Sequence, residues 1–87
     1  MKWSAEAAEM VEQLLQELPL PVREGVQQAA ERRAEELAEK RSAPEIPLDL
    51  AVAAFIESTP ADLRERLKHT LSYRGLDPDD YEAAFSA

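Results

Sequence analysis

The sequence predicts an all-α fold, a compact bundle of four to five short helices made of an N-terminal helix and two pseudo-repeated helix pairs. Apolar residues recur at three- and four-residue steps along most of the chain, which is the period of a helix. Prolines and helix-capping residues divide these stripes into short segments. No stretch alternates apolar and polar residues as a strand would. With 87 residues, the chain forms one small domain, residues 1–87, with a limited core.

An eight-residue phrase occurs twice, at residues 19–26 and 60–67. Both copies read proline, two residues, an aliphatic residue, Arg-Glu, one residue, and another aliphatic residue. Downstream of each copy, a segment with an aspartate near its start ends in Ala-Ala-Phe. We interpret this echo as a tandem pseudo-repeat of a longer helix, a connector and a short helix, at about residues 19–55 and 60–85. The alternative is coincidence between two amphipathic helices that begin at proline.

The first two helices are separated by Pro19. Ser4 is a good N-cap for the first helix, and Pro19 ends it. The second helix is predicted from Pro21 to Arg41. The apolar stripes of the two helices consist of Trp3, Ala7, Met10, Val11, Leu14, Leu15 and Leu18, and of Val22, Val26, Ala29, Ala30, Ala34, Leu37 and Ala38. Arg33 falls inside the second stripe. Either its stem lies along apolar surface with the charged head in water, or it contacts an interface or a ligand.

Three shorter helices follow the connector at residues 42–45. The third is predicted around Leu48 to Glu57. Thr59 caps the fourth, which opens at Pro60, and Gly75 ends it in a left-handed conformation. Asp77 caps a fifth short helix. The residues expected to face the core are Leu63, Leu67, Thr70, Leu71, Tyr81, Ala84 and Phe85.

Charge and composition exclude several functions. The chain has 18 acidic and 10 basic residues, with a formal net charge of −8, which disfavours binding to nucleic acid or to an anionic membrane. Without cysteine it offers no disulfide, thiolate nucleophile or iron–sulfur ligand. No apolar run reaches transmembrane length and no signal peptide is visible, so we expect no membrane insertion.

No pattern of catalytic residues emerges. The sequence offers no Ser-His-Asp order, paired buried carboxylates or metal-spaced histidines, so we predict a non-enzyme with no catalytic, cofactor-binding or metal-binding residues. Asp77, Asp79 and Asp80 resemble a metal-binding cluster. However, their spacing around Pro78 fits a helix cap and its complement to the helix dipole better.

The first 55 residues resemble a known small domain. The resemblance rests on Trp3, the turn Leu18-Pro19-x-x-Val22-Arg23, Glu31 and Ala34 at eight and eleven residues after that arginine, and the short helix from Ile46 to Ala54. This pattern is similar to the C-terminal domain of the light-independent (dark-operative) protochlorophyllide reductase family, here as a stand-alone and tandem copy. The resemblance implies a context of chlorophyll-precursor reduction. It also implies that the cluster ligands and the catalytic carboxylate lie outside this domain.

Five residues are candidates for contacts with a partner, namely Trp3, Arg23, Arg33, Arg64 and His69. Arg23 and Arg64 hold the same place in each repeat, and a cation in a helix's first turn opposes the helix dipole. Each arginine therefore either pairs with a carboxylate of the other repeat or the first helix, or anchors a carboxylate of a partner or a tetrapyrrole. His69 is either a surface residue or a ligand for a chlorophyll-type magnesium.

Two functions of different classes follow, together with a plainer third. The first is a non-catalytic interaction or assembly module that docks on a larger protein in photosynthetic or chlorophyll-handling complexes. The second is a small tetrapyrrole-binding carrier that would use Arg23, Arg64, His69 and Trp3. The third is a self-associating helical domain without a ligand, since a homo-oligomer is also compatible with the sequence. We expect a location in the cytoplasm or stroma, or peripheral to a photosynthetic membrane.

Overall fold

The structure, a computed structural model, describes residues 2–87 and is all-α, as predicted. Its helices are α1 (Ala5–Gln16), α2 (Leu20–Arg41), α3 (Leu48–Ser58), α4 (Ala61–Tyr73) and α5 (Glu82–Phe85). A 3₁₀ turn, Pro78–Tyr81, leads into α5. The described part of the chain contains no strand, only one isolated bridge between residues 3 and 46.

Local capping chemistry sets several of the helix ends, as the sequence predicts. The Ser4 hydroxyl accepts a hydrogen bond from the Ala7 N–H at 3.1 Å and caps α1. Asp77 accepts one from the Asp79 N–H at 2.9 Å and caps the 3₁₀ turn. Gly75, with a φ of 84°, takes the left-handed conformation just after α4. Ser42 ends α2 in the same conformation, with a φ of 57°.

Two local predictions were wrong. Thr59 does not cap α4. It lies at the end of α3, where its buried hydroxyl donates to the Phe55 carbonyl at 2.7 Å, and Pro60 occupies the N-cap position of α4. Trp3 does not extend the stripe of α1 either. It precedes the helix and forms a parallel bridge with Ile46, in which the Ser4 N–H donates to the Ile46 carbonyl at 3.0 Å.

The apolar helix α3 lies at the centre of the molecule and packs on α1, α2 and α5. Its Val52, Phe55 and Ile56 are fully buried. Toward α3, the long helix α2 presents small side chains at Ala34 and Ala38, which are also fully buried. Small residues on α2 let the backbones of α2 and α3 approach closely. Helices α1 and α4 add larger aliphatic side chains to the same core, such as Leu14 and Leu71.

The two predicted repeats contain similar elements. Residues 19–55 hold α2, a connector and most of α3, whereas residues 60–85 hold α4, a connector, the 3₁₀ turn and α5. Both halves therefore consist of a longer helix followed by a shorter helical segment, and α5 packs against α3. A duplication as the origin of this similarity stays a prediction.

Candidate functional site

An open groove of about 610 Å³ lies between α1 and α2. We call it the first groove. It is lined by Trp3, Ala8, Val11, Glu12, Leu15, Gln16, Arg23, Gln27 and Glu31. Its volume lies within the range of about 300–1,000 Å³ that is common for ligand sites.

Helical spacing brings these side chains to one face of each helix. On α1, Ala8, Glu12 and Leu15 follow one another at steps of four and three residues. On α2, Arg23 and Gln27 are four residues apart, and Glu31 continues the same row. The apolar side chains come mainly from α1 and from Trp3, which is held by its bridge to residue 46. The polar side chains come mainly from α2.

Arg23 binds the end of α1. Its Nε donates to the Leu18 carbonyl at 2.9 Å, and its Nη2 donates to the Gln16 carbonyl at 2.9 Å. The Gln16 carbonyl is at the last residue of α1, where the helix dipole is negative, so a cation here is favourable. The contact also offsets the unfavourable place of Arg23 in the first turn of α2.

Arg64 makes equivalent contacts at the turn between α3 and α4. Its Nε donates to the Thr59 carbonyl at 3.0 Å and its Nη2 to the Glu57 carbonyl at 3.1 Å. In addition, Nη1 donates to the backbone oxygens of Phe85 at 3.3 Å and Ala87 at 2.6 Å. Within residues 2–87 neither Arg23 nor Arg64 pairs with a side-chain carboxylate, so the first of the two alternatives, a structural ion pair, was wrong.

Arg33 and His69 lie outside the first groove. Arg33 clamps α2 to α3, since its Nε is 2.9 Å from Oε1 of Glu57, and its Nη1 is 3.3 Å from Oε2 of Glu36. Its side chain is one-third exposed, which fits a partly covered stem with a hydrated head. His69 is exposed on α4. Of the five predicted partner residues, the structure thus brings only Trp3 and Arg23 together.

One structural arginine was not found from the sequence. Arg74, at the end of α4, donates from Nη1 to Oε1 of Gln13 at 2.8 Å and from Nη2 to Oε1 of Glu17 at 3.4 Å. Its Nε is buried without a hydrogen-bond partner in the described part of the chain. These contacts tie α4 to α1 across about 60 residues of sequence, and no local pattern signals them.

Tyr81 has a perturbed hydroxyl. Burial raises its pKa above the ordinary value of 10.0, and the negative charges of Asp49 and Asp80 raise it further. The residue is only partly buried and lies outside the first groove. The raised pKa follows from its partial burial and from the nearby charges of Asp49 and Asp80.

The described residues form neither a metal site nor a membrane span. Across residues 2–87, no three His, Cys, Asp or Glu side chains converge so as to hold a metal ion. None of the helices in that range combines the length and apolar character that crossing a bilayer would require. The first groove combines buried or half-buried apolar side chains, such as Val11 and Leu15, with exposed charged and amide groups, such as Glu12 and Gln27.

Comparison with known proteins identifies no relative. The chain matches no protein-family model, no curated protein and no solved structure. The resemblance to the protochlorophyllide reductase domain therefore stays a prediction that rests on the residues quoted above.

Proposed function

We propose that this chain is a non-catalytic interaction or assembly module that binds a larger protein through the first groove. The observation that carries the proposal is the open, partly apolar groove in which Trp3, Val11 and Leu15 lie beside Arg23. Tryptophan and arginine are the residues most enriched among the strong contacts of protein interfaces. A groove between two helices is also a common docking site for a partner's helix.

The charge of the chain favours a basic partner surface. The net charge is −8, and Glu12 and Glu31 lie at the rim of the groove. Complementary charge speeds association and disfavours wrong partners. The same field disfavours nucleic acid, so the proposal excludes it as a partner.

The proposed context is a chlorophyll-handling complex in a photosynthetic cell, in the cytoplasm or stroma or at the periphery of a photosynthetic membrane. Its support is the resemblance to the protochlorophyllide reductase domain. Trp3, Arg23 and Glu31, which contribute to that resemblance, all line the first groove. A shared pattern at a groove is what a shared binding surface would produce.

A matched pair of variants tests the proposal. Gln27 lines the groove and Gln28 lies beside it on α2, outside the groove lining, and both are exposed. Gln27→Phe should therefore fill the groove. Gln28→Phe makes the same glutamine-to-phenylalanine change on the same helix but should leave the groove open. We expect purified catalytic subunits of light-independent protochlorophyllide reductase to bind the wild type and Gln28→Phe in calorimetric titration, and to bind Gln27→Phe at least tenfold more weakly (about 1.4 kcal/mol). Equal binding by both variants would contradict a role of the groove, and no binding at all would contradict the proposed context.

A tetrapyrrole carrier is the second candidate, because Trp3 and Arg23 line the same groove. The arginine could face a propionate, and the indole could stack on the ring. Titration with protochlorophyllide should then quench Trp3, the chain's one tryptophan, and shift the pigment's absorption band. Gln27→Phe should abolish both changes and Gln28→Phe should not. No spectral change at micromolar pigment would remove this candidate.

Self-association without a ligand is supported by two exposed residues. Leu20 is 73% exposed and Tyr73 is 88% exposed. If they form a contact between copies, sedimentation equilibrium should show an oligomer that Leu20→Ser or Tyr73→Ser dissociates. A monomer at all concentrations would remove this candidate.

A further inference from the structure

The contacts of Arg23 between α1 and α2 are repeated by Arg64 between α3 and α4. Arg64 follows Arg23 by 41 residues, and each arginine binds the carbonyls that lie five and seven residues before it. Helices α1 and α2 therefore meet at the same kind of proline turn as α3 and α4. We call the α3–α4 surface that corresponds to the first groove the second groove.

The second groove is filled by the chain itself. Helix α5 packs on α3, and the backbone oxygens of Phe85 and Ala87 accept hydrogen bonds from Nη1 of Arg64. The Phe85 ring lies under Nζ of Lys68, 5.4 Å from the ring centroid. Lys68 is the equivalent of Gln27 in the first groove. Helix α5 thus occupies the second groove. The last backbone oxygens of the chain lie at Arg64, and the Phe85 ring lies at Lys68, one turn further along α4.

Equivalent side chains of the two grooves differ in how deeply they are buried. Ile56 of α3 is fully buried, whereas its equivalent on α1, Leu15, is only partly buried. Val52 is also fully buried, while its equivalent Val11 keeps 7% of its surface exposed. The first groove therefore has an arginine equivalent to that of the second, but no helix within residues 2–87 covers it.

The charges of the two grooves differ. The first groove carries Glu12 and Glu31 where the second unit has Ala53 and Ser72, and Gln27 replaces Lys68. The second unit has two carboxylates of its own, Asp49 and Glu57, where the first groove has Ala8 and Gln16, but they pair with Arg41 and Arg33. None of the ion pairs within residues 2–87 involves Glu12 or Glu31. The segment that fills the second groove is itself acidic, with Asp79, Asp80 and Glu82. In the first groove this segment would meet two carboxylates and no lysine, so charge repulsion disfavours the α5 segment of another copy.

We infer that the first groove binds a short basic helix of a partner protein, in the pose that α5 takes in the second groove. The last backbone oxygens of that helix accept hydrogen bonds from Arg23, an apolar or aromatic side chain near its end packs on Leu15 beside Gln27, and its lysines or arginines face Glu12 and Glu31. This inference rests on the proposed function, and it specifies the chemistry of the partner.

Two peptides test the inference with the full-length chain. One has the sequence of residues 76–87, and the other has the same sequence with Asp79→Lys, Asp80→Lys and Glu82→Lys. Neither peptide contains tryptophan, so the fluorescence of Trp3 in the first groove reports binding directly. We expect the basic peptide to bind at least about fivefold more tightly than the acidic one, as one or two exposed charge pairs would give.

Charge reversal in the groove supplies the control. The double variant Glu12→Lys, Glu31→Lys changes the rim of the groove, whereas Glu9→Lys, Glu39→Lys makes the same change at exposed positions of the same helices that do not line the groove. The first variant should bind the basic peptide more weakly, and the acidic peptide more tightly, than the wild type does. The second should change both affinities by the same, smaller factor. An unchanged preference in the first variant would overturn the inference.

The outcomes separate this inference from the proposed function. If neither peptide binds, or the acidic one binds more tightly, the helical basic occupant is wrong, while the loss of partner binding in Gln27→Phe can still support the groove as an interface. If the basic peptide binds and responds to the rim charges but no reductase subunit does, the occupant's chemistry is supported and the proposed partner is wrong.

Discussion

Leu15 of α1 and Ile56 of α3 lie at equivalent positions, eight residues before Arg23 and Arg64, yet only Ile56 is fully buried. Helix α5 packs on α3, whereas the α1–α2 side is an open groove. The same local architecture is therefore complete in one half of the chain and uncovered in the other.

This asymmetry predicts unequal costs for the same truncation. Ile56→Ala removes a fully buried side chain and should lower the free energy of unfolding by about 3 kcal/mol, within the usual range for core truncations. Leu15→Ala removes a partly exposed one and should lower it by about 1–2 kcal/mol. Urea denaturation of both variants measures the difference. Equal costs would mean that Leu15 is as well packed as Ile56.

The two arginines should also differ in their contribution to stability. Arg64 binds backbone oxygens at the end of α3 and those of residues 85 and 87, whereas the described contacts of Arg23 are confined to the end of α1 and the turn after it. We expect Arg64→Gln to lower the free energy of unfolding by about 2–3 kcal/mol and Arg23→Gln by about 1–2 kcal/mol. Arg66→Gln, at an exposed position on α4, serves as the control and should change it by less than about 0.5 kcal/mol. A larger loss from Arg23 than from Arg64 would contradict these contacts.

The ion pair between Arg33 and Glu57 should be stronger than the one between Arg41 and Asp49. The former joins side chains that are 32% and 20% exposed at 2.9 Å, the latter side chains that are 54% and 55% exposed at 3.0 Å. Because water and salt screen exposed charges, double-mutant cycles should give a coupling of about 1 kcal/mol for the first pair and about 0.3 kcal/mol for the second. The first pair should also be less sensitive to added salt. A reversed order would show that Arg33 does not clamp α2 to α3 in solution.

Tyr81 should make stability depend on pH in the alkaline range. Its pKa is raised in the folded state, because burial and the charges of Asp49 and Asp80 disfavour the phenolate. The stability that comes from keeping this hydroxyl neutral is fully present below about pH 10 and is lost as the pH rises through the raised pKa. The free energy of unfolding of Tyr81→Phe should therefore fall less steeply above pH 10 than that of the wild type. Tyr73→Phe, at an exposed tyrosine, should follow the wild type, and identical curves for all three proteins would contradict the assignment.

Local capping chemistry was predictable from the sequence, whereas contacts between distant segments were not. Ser4, Gly75 and Asp77 act within three residues of their own position, so the sequence contains what is needed. Thr59 lies between two helices, and its hydroxyl can either accept from the next helix or donate to the preceding one. The sequence does not decide between these, and in the structure it donates to Phe55.

The contacts of the candidate site depend on how helices pack. The echo of Arg23 and Arg64 was visible in the sequence, but their carbonyl partners lie across a proline turn whose geometry the residue types do not specify. Arg74 meets Gln13 only because α4 folds back on α1. The first groove exists because α5 covers one pair of helices and not the other. Such a difference arises from tertiary packing.

The most direct test of the central claim maps where a helix binds on the intact chain. In a titration of the ¹⁵N-labelled protein with the basic variant of peptide 76–87, we expect amide shifts at Ala8, Glu12, Leu15 and Gln27, and unchanged signals at Ile56. Shifts centred on Ile56 and Phe85 would mean that the peptide displaces α5 from the second groove. That result would contradict the claim that the first groove is the vacant one.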